Sequence, residues 1–218
     1  MPPYTQEIEA IRRARILEAA LETIAEKGCA NVTMDDICRA SGFSKGGLAH
    51  YYQSKQALFL AAFTEFFDRI FKRGKAEMDK YEEPIDKLLS FTWLYNVEDP
   101  DAFVGYPVLF DFMAIAVHDS AYRRIFYEWV GNWVVLLKAA LAEGVEQGIF
   151  REMDCEKTAQ GISAVYQGIA TRWFLAPDDH SRQWALETLE SAVLGLLNPR
   201  DRDCAASGAI NTNKQKGR

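Results

Sequence analysis

Six residues between positions 44 and 51 carry the groups that proteins use to contact DNA. The run Ser44–Gly47 supplies a hydroxyl, an ammonium group and two glycines, and His50 and Tyr51 follow one helical turn later. A hydroxyl-capped helix start presents N–H groups to a phosphate, and Lys45 can reach a phosphate or the O6 and N7 atoms of guanine. Glycine lets a helix approach a groove closely, at some cost in helix propensity. This spacing predicts a DNA-contacting helix.

Two flanking residues extend the predicted surface. Thr33 supplies a second N-cap hydroxyl, and Lys55 opens the next helix, where we expect it to clamp a phosphate. Without DNA, Lys45 and Lys55 would be solvated charges and His50 an ordinary surface histidine. The predicted DNA-binding residues are Thr33, Ser44, Lys45, Gly46, Gly47, His50, Tyr51 and Lys55.

Three short elements must position these groups. A helix from about Ile8 to Lys27 ends at Gly28, and a second helix over Met34–Ala40 stops at Ser41-Gly42. The third runs from Lys45 to about Tyr51. Two short helices joined by a tight turn predict a helix-turn-helix whose second helix enters the major groove.

The segment F-S-K-G-G-L-A-H-Y-Y-Q-S-K-Q-A-L over residues 43–58 resembles the signature of the TetR family of bacterial regulators. The preceding layout is also similar: a helix ending A-E-K-G, a Thr-capped D-D-I helix and then A-S-G-F. The resemblance is specific from about Arg12 to Phe63 and architectural beyond. It implies an effector-binding C-terminal domain and a dimer formed by the last two long helices. Ala49 stands where the family often has an aromatic residue, which indicates a distinct operator preference.

Helical periodicity dominates the rest of the chain, so the predicted fold is all-α with about nine helices. A three-helix helix-turn-helix DNA-binding domain over 1–55 precedes a larger antiparallel helical bundle over 56–198, for effector binding and dimerisation. The polar tail over 199–218 is predicted to be disordered. Further helices are expected over about 55–79, 84–97, 120–147, 154–175 and 180–197, with another that Pro107 interrupts or kinks before Val117.

Aromatic residues are concentrated in the larger domain, since only four of them lie in the first 55 residues. Most should form the bundle core, but their density also predicts an apolar cavity. The predicted effector-binding residues are Trp93, Tyr106, Phe110, Asp111, Trp129, Trp133, Gln167 and Arg172.

Asp111 lies inside the apolar run V-L-F-D-F-M-A-I-A. A buried carboxylate needs a partner or a ligand. It could face a cationic or polyamine-like effector beside aromatic rings. It could instead form an ion pair with Arg172, Arg123 or Arg124. No named effector follows from either alternative.

Charge and motif content narrow the function classes. The net charge is −6, yet residues 1–55 hold seven basic and seven acidic groups, so the acidity lies outside the predicted DNA-binding domain. The four scattered cysteines and three dispersed histidines predict no metal, no cofactor and no enzyme activity. No signal pattern or membrane-spanning apolar run is apparent, so we expect a cytoplasmic protein.

The predicted function is a transcriptional repressor, released from a palindromic double-stranded DNA operator by a small-molecule effector. A homodimer is expected, because such operators are read as paired half-sites. Its close seam would use small and apolar positions, which could also pack within one chain: Ala164, Gly168, Leu189, Ala192, Val193 and Leu196. The alternative is a helical ligand-binding or adaptor protein without operator binding.

Overall fold

The computed structural model describes residues 3–197, and over that range the chain forms nine α-helices and one 3-10 turn. The predicted disordered tail lies outside the described residues. The helices are α1 Pro3–Lys27, α2 Met34–Ser41, α3 Lys45–Tyr51, α4 Lys55–Met78, α5 Pro84–Leu89, α6 Pro100–Ala116, α7 Ser120–Glu146, α8 Cys155–Leu175 and α9 Arg182–Leu197, with the 3-10 turn over Thr92–Tyr95 between α5 and α6. The all-α prediction is confirmed.

Local capping fixes the two short helices. The Asp36 N–H donates to the Thr33 hydroxyl over 3.2 Å, and the Asp36 carboxylate accepts from the Thr33 N–H over 2.9 Å, which closes a capping box at the start of α2. Gly42 ends α2 in the left-handed conformation at φ 75°. The Ser44 hydroxyl then accepts from the Gly47 N–H over 3.1 Å and starts α3.

Some boundaries differ from the predicted ones. The first helix begins at Pro3 rather than near Ile8, and α6 runs through Pro107 without interruption. The helix expected to continue to Val97 ends at Leu89. The Ser90 hydroxyl donates to the Lys87 carbonyl over 2.9 Å at that end. The 3-10 turn that follows buries Tyr95 completely in the bundle.

The core of the N-terminal helices α1–α3 continues into the bundle. One cluster of buried side chains joins α1–α4 to α6 and α7, and a second lies within the bundle. Phe63 of α4 contacts both Phe112 of α6 and Tyr122 of α7, at ring-centroid distances of 5.0 and 5.8 Å. Residue 55 therefore does not separate two independent cores.

Helix α7 is long and apolar enough to cross a membrane, judged by length and composition alone. The central helix of a soluble bundle meets the same criterion. Here α7 packs against α4, α5, α6 and α8.

Candidate DNA-binding surface and effector cavity

The predicted DNA-contacting residues gather around α3. Thr33, Ser44, Lys45, Gly46 and His50 are exposed, whereas Gly47, Tyr51 and Lys55 are half-buried. Helix α3 is held from beneath by Leu48, which is buried in the first core cluster. The surface is therefore carried on a helix whose opposite side is fixed.

Lys45 projects from the first turn of α3. Its side chain is 77% exposed, and its Nζ atom lies 2.9 Å from a carboxylate oxygen of Asp35. The hydrogen bond that Lys45 donates to the Asp35 carboxylate raises the pKa of Lys45, so the side chain stays cationic. An exposed ion pair of this kind contributes little to stability, and a DNA phosphate can compete for the same ammonium group.

Gly46 has no packing reason to be glycine within the described residues. A Cβ atom built there would have no heavy-atom neighbour within 4 Å. Glycine disfavours helix formation relative to alanine, so Gly46 does not serve the stability of α3. The absence of a side chain would instead let another molecule approach the helix closely.

His50 and Tyr51 differ in their surroundings. Their rings contact edge to face at a centroid distance of 5.3 Å, and Tyr51 also meets Phe43 at 6.0 Å. The guanidinium of Arg13 lies 5.5 Å from the Tyr51 ring centroid. Tyr51 is therefore partly a packing residue of the helix-turn-helix, while His50 remains exposed.

Lys55 has an acceptor within the protein. Its ammonium group donates to the carbonyl of Cys29 over 2.8 Å and lies 5.1 Å from the Phe59 ring centroid. These contacts give no support to the predicted phosphate clamp.

Further basic residues, outside the predicted contact set, lie beside the predicted surface. Arg13 and Arg15 are exposed on α1, and a Cβ at Gly42 would lie 3.0 Å from the Arg15 guanidinium. Arg39 and Lys27 both pair with Asp36. Hydrogen bonds from Thr33 and Lys27 hold the pKa of Asp36 well below its usual range. Only the fold brings these α1 cations near α3.

A cavity of about 110 Å³ lies among α4, the 3-10 turn, α6, α7 and α8. Five of the predicted effector residues line it: Trp93, Tyr106, Trp129, Trp133 and Gln167. Gly74 of α4 makes room for one wall, since a Cβ there would fall 2.2 Å from the Trp133 ring. Phe91 and Tyr166 add further aromatic lining from the 3-10 region and α8.

The other three predicted effector residues lie outside the cavity lining. Phe110 stacks on Tyr106 at 6.3 Å and meets Phe174 at 5.8 Å, so it packs behind the wall. Arg172 is exposed on α8. Asp111 forms its hydrogen bond outside the cavity.

The partner of Asp111 is the backbone N–H of Cys29, which donates to its carboxylate. Neither alternative given for Asp111, an effector cation or an arginine, matches this contact. The residue instead joins α6 to the turn that follows α1. Burial, followed by the Asp111 charge, raises the pKa of the Cys29 thiol to about 12.

Asp101 is the carboxylate of the cavity lining, and it is not among the predicted effector-binding residues. It pairs with Arg73 over 2.6 Å and with Arg69 over 3.4 Å. The guanidinium carbon of Arg73 also lies 3.9 Å from the Trp93 ring centroid. Asp99 completes this group by accepting from Arg73 over 2.7 Å.

Two indole groups of the lining are buried without a hydrogen-bond partner among residues 3–197. They are the Nε1 atoms of Trp93 and Trp129. Buried polar groups are normally hydrogen-bonded. Gln167 contributes an amide whose nitrogen lies 3.8 Å from the sulfur of Met113. The wall is thus largely aromatic with a few donors and one carboxylate.

Comparisons with known proteins give matches in both parts of the chain. Residues 16–62 match the model of bacterial regulatory proteins of the tetR family, and residues 97–198 match the C-terminal model of BetI-type transcriptional repressors. The transcriptional regulator BetI of Agrobacterium fabrum is 36% identical over 194 residues, covering 88% of this chain and 84% of that protein. The uncharacterized regulator YfiR of Bacillus subtilis is 29% identical over 160 residues, covering 69% and 73%.

Solved structures show the same fold. A putative transcriptional regulator from Saccharomonospora viridis in complex with choline has a TM-score of 0.77 at 22% identity, covering 85% of this chain and 96% of that one. A putative TetR-family regulator from Rhodococcus has a TM-score of 0.73 at 23% identity, covering 86% and 98%.

Proposed function

Because the chain belongs to the TetR family of DNA-binding transcriptional regulators, we propose that it is a homodimeric repressor controlled by a cationic ammonium compound of the choline class. The compound would occupy the aromatic cavity of the bundle and release the protein from a palindromic operator. The observation that carries this proposal is the pairing of several aromatic walls with one carboxylate, Asp101.

The cavity has the chemistry that quaternary ammonium groups bind. Aromatic faces attract such a cation through the ring quadrupole while keeping its methyl groups out of water. Trp93, Trp129, Trp133 and Tyr106 provide the faces, and Asp101 provides an opposite charge. The choline complex of the Saccharomonospora viridis regulator supports this ligand class.

For the DNA surface, we propose that α3 reads the major groove. Lys45 and His50 would reach phosphates or base edges, and the bare backbone at Gly46 would allow close approach. The proposed contact residues are Thr33, Ser44, Lys45, Gly46, Gly47, His50 and Tyr51. Arg13 and Arg15 of α1 would add phosphate contacts beside them.

The dimer seam is proposed on the outer faces of α8 and α9. Ala164 and Gly168 are exposed on α8, and Leu194 on α9 is 41% exposed. Small residues beside apolar ones allow two helix pairs to pack closely. Leu189 and Val193, expected in the seam, are buried inside one protomer and are omitted from it.

The two proposed functions would then belong to successive parts of the chain. Residues 1–55 would bind DNA, and residues 56–198 would bind effector and partner, although the two share a core. We place the protein in the cytoplasm, where the operator is, and assign it no catalytic role.

A neutral apolar ligand is the second candidate. The observation that favours it is the pairing of Asp101 with two arginines, which already compensates the cavity's carboxylate. Choline and its uncharged carbon isostere, 3,3-dimethyl-1-butanol, have nearly the same shape. Comparing the effects of the two compounds therefore distinguishes a cationic ligand class from a neutral one.

The test begins with selection of bound sequences from random duplex DNA, followed by titration of the protein–operator complex with both compounds. We expect a palindrome, and release by choline at concentrations at which the isostere has no effect. Asp101→Asn should lose the response to choline and keep operator binding. Release by the isostere alone would establish the neutral class, and failure to enrich any sequence would overturn operator binding.

A further inference from the structure

The side chain of Arg73 contacts an aromatic face and two carboxylates, which are groups that a cationic ligand would also bind. We propose that Arg73 is a built-in competitor of the effector, so that an ammonium ligand binds only by displacing the guanidinium from Trp93 and Asp101. This inference rests on the proposed choline-class function. We call Arg73, Asp99 and Asp101 the Arg73 clasp.

The contacts of Arg73 combine an aromatic face with two carboxylates. Its guanidinium carbon lies 3.9 Å from the Trp93 ring centroid. Its nitrogens donate to Asp99 over 2.7 Å and to Asp101 over 2.6 Å. A planar guanidinium suits both stacking and paired carboxylate contacts. The same groups would attract an ammonium ion.

The Arg73 clasp lies at the edge of the cavity. Trp93 and Asp101 line the cavity, and Arg73 contacts both of them. The Arg73 side chain is 32% exposed, so its charge can move into water when it leaves. Displacement therefore does not require a cation to be buried without a partner.

Arg69 is not placed to compete with a cationic ligand at Trp93 and Asp101. It lies 3.4 Å from Asp101, but its guanidinium also bonds Glu18 of α1 over 2.6 Å. Its principal carboxylate thus lies away from the cavity, and it makes its ring contact with Phe66 at 5.8 Å. Arg73 is the arginine whose contacts coincide with those of a ligand at Trp93 and Asp101.

Competition lowers the affinity that is measured. A ligand whose site is open for only a fraction of the time binds more weakly by that fraction. Removing the Arg73 charge would open the site and leave Asp99 and Asp101 to attract a cation. An uncharged ligand of the same shape would gain nothing from those carboxylates.

The clasp also joins two helices that lead to different parts of the molecule. Arg73 lies on α4, which begins four residues after α3 ends, while Asp99 and Asp101 lie at the start of α6. Displacing Arg73 would therefore break its ion pairs between α4 and α6, while the Arg69–Asp101 contact could remain. Ligand binding and clasp opening would be one event.

The test measures choline binding to the full-length protein by calorimetry. Arg73→Gln should bind choline about tenfold more tightly, since the competitor is gone. Its affinity for 3,3-dimethyl-1-butanol should rise by a clearly smaller factor, because the isostere gains the opened site but no attraction from the carboxylates. Lys75→Gln is the matched control, because Lys75 lies on the same helix and, within residues 3–197, pairs with exposed Asp79 over 2.8 Å. It should change neither affinity.

Equal or weaker choline binding by folded Arg73→Gln would overturn the competitor role while leaving choline as the effector. Absence of choline binding by both the unmodified protein and the variant would instead overturn the effector class. If Arg73→Gln does not fold, Arg73→Lys decides the matter, because lysine keeps the charge without the planar fork. Its choline affinity should rise by a smaller factor, and an unchanged or lower affinity would overturn the proposal.

Discussion

The carboxylate of Asp111 in α6 accepts a hydrogen bond from the backbone N–H of Cys29, 82 residues earlier in the chain. The carbonyl of Cys29 accepts from Lys55, the first residue of α4. Gly28 permits this turn because its φ of 77° is left-handed, a conformation that favours glycine. One turn of the DNA-binding half is thus fixed by α6 and α4 together.

Asp111→Ala should destabilise the protein, because it leaves the Cys29 N–H without its acceptor. The expected loss is about 1–3 kcal/mol of unfolding free energy, measured by urea denaturation. Choline affinity should be unchanged, since Asp111 does not line the cavity. Asp68→Ala, which removes only an exposed pair with Lys72, is the control and should cost less than about 1 kcal/mol. Equal stability of Asp111→Ala and the unmodified protein would show that the bond is unimportant.

Lys45→Ala should weaken operator binding and reduce its salt dependence. Removing one phosphate-binding ammonium group from each protomer lowers the slope of log K against log salt by about 2 for a dimer. Lys138→Ala is the control, because Lys138 has the same exposed pairing, with Glu156 at 2.8 Å, on α7. An unchanged salt slope for Lys45→Ala would show that Lys45 does not bind a phosphate.

Gly46→Ala should affect folding and DNA binding in opposite directions. Alanine favours the helix by at most about 1 kcal/mol, and a Cβ there has open space within the described residues. Thermal stability should therefore rise slightly, while operator affinity falls because the methyl group separates α3 from the groove. Unchanged operator affinity would mean that α3 does not approach DNA closely at this position.

Asp99→Asn should change the acid stability of the protein. The hydrogen bond from Arg73 lowers the pKa of Asp99 in the folded protein. This group's stabilisation is therefore fully present above its unfolded pKa of about 4. It is lost as the pH falls through the lowered folded pKa.

Asparagine can keep the N-cap of α6, in which Asp99 accepts from the Asp101 N–H over 3.0 Å. The difference in melting temperature between the unmodified protein and Asp99→Asn should therefore be largest near neutral pH and shrink towards pH 3. A difference that does not vary with pH would show that the carboxylate charge does not contribute.

Local signals explain what could be predicted from the sequence. The bounds of α3 and the caps at Thr33 and Ser44 depend on residues three positions apart, so the sequence displays them directly. Four aromatic cavity residues could be predicted for a similar reason, since a helical bundle must bury dense aromatic clusters.

Contacts between distant residues explain what could not be predicted. Asp101 reads as an ordinary first-turn acid of a helix, and its partner Arg73 lies 28 residues earlier. Asp111 could not be matched to a backbone N–H in another half of the chain. The predicted helix through Val97 failed because burial of Phe91 and Tyr95 determines the local backbone more strongly than helical periodicity does.

The length of α4 gives small changes at the cavity a larger effect at the DNA. Lys55 and Arg73 are 18 residues apart on one unbroken helix, which at 1.5 Å per residue is about 27 Å. A tilt of about 5° at the Arg73 end would move the other end by about 2 Å, roughly the scale of the helix shifts found in switching proteins. In a two-fold dimer both recognition helices would move at once, so the change in half-site spacing would be doubled. The helix would thus act as a lever arm. A displacement of a few ångströms beside the Trp93 ring would leave the two recognition helices at a spacing that no longer matches the helical repeat of DNA.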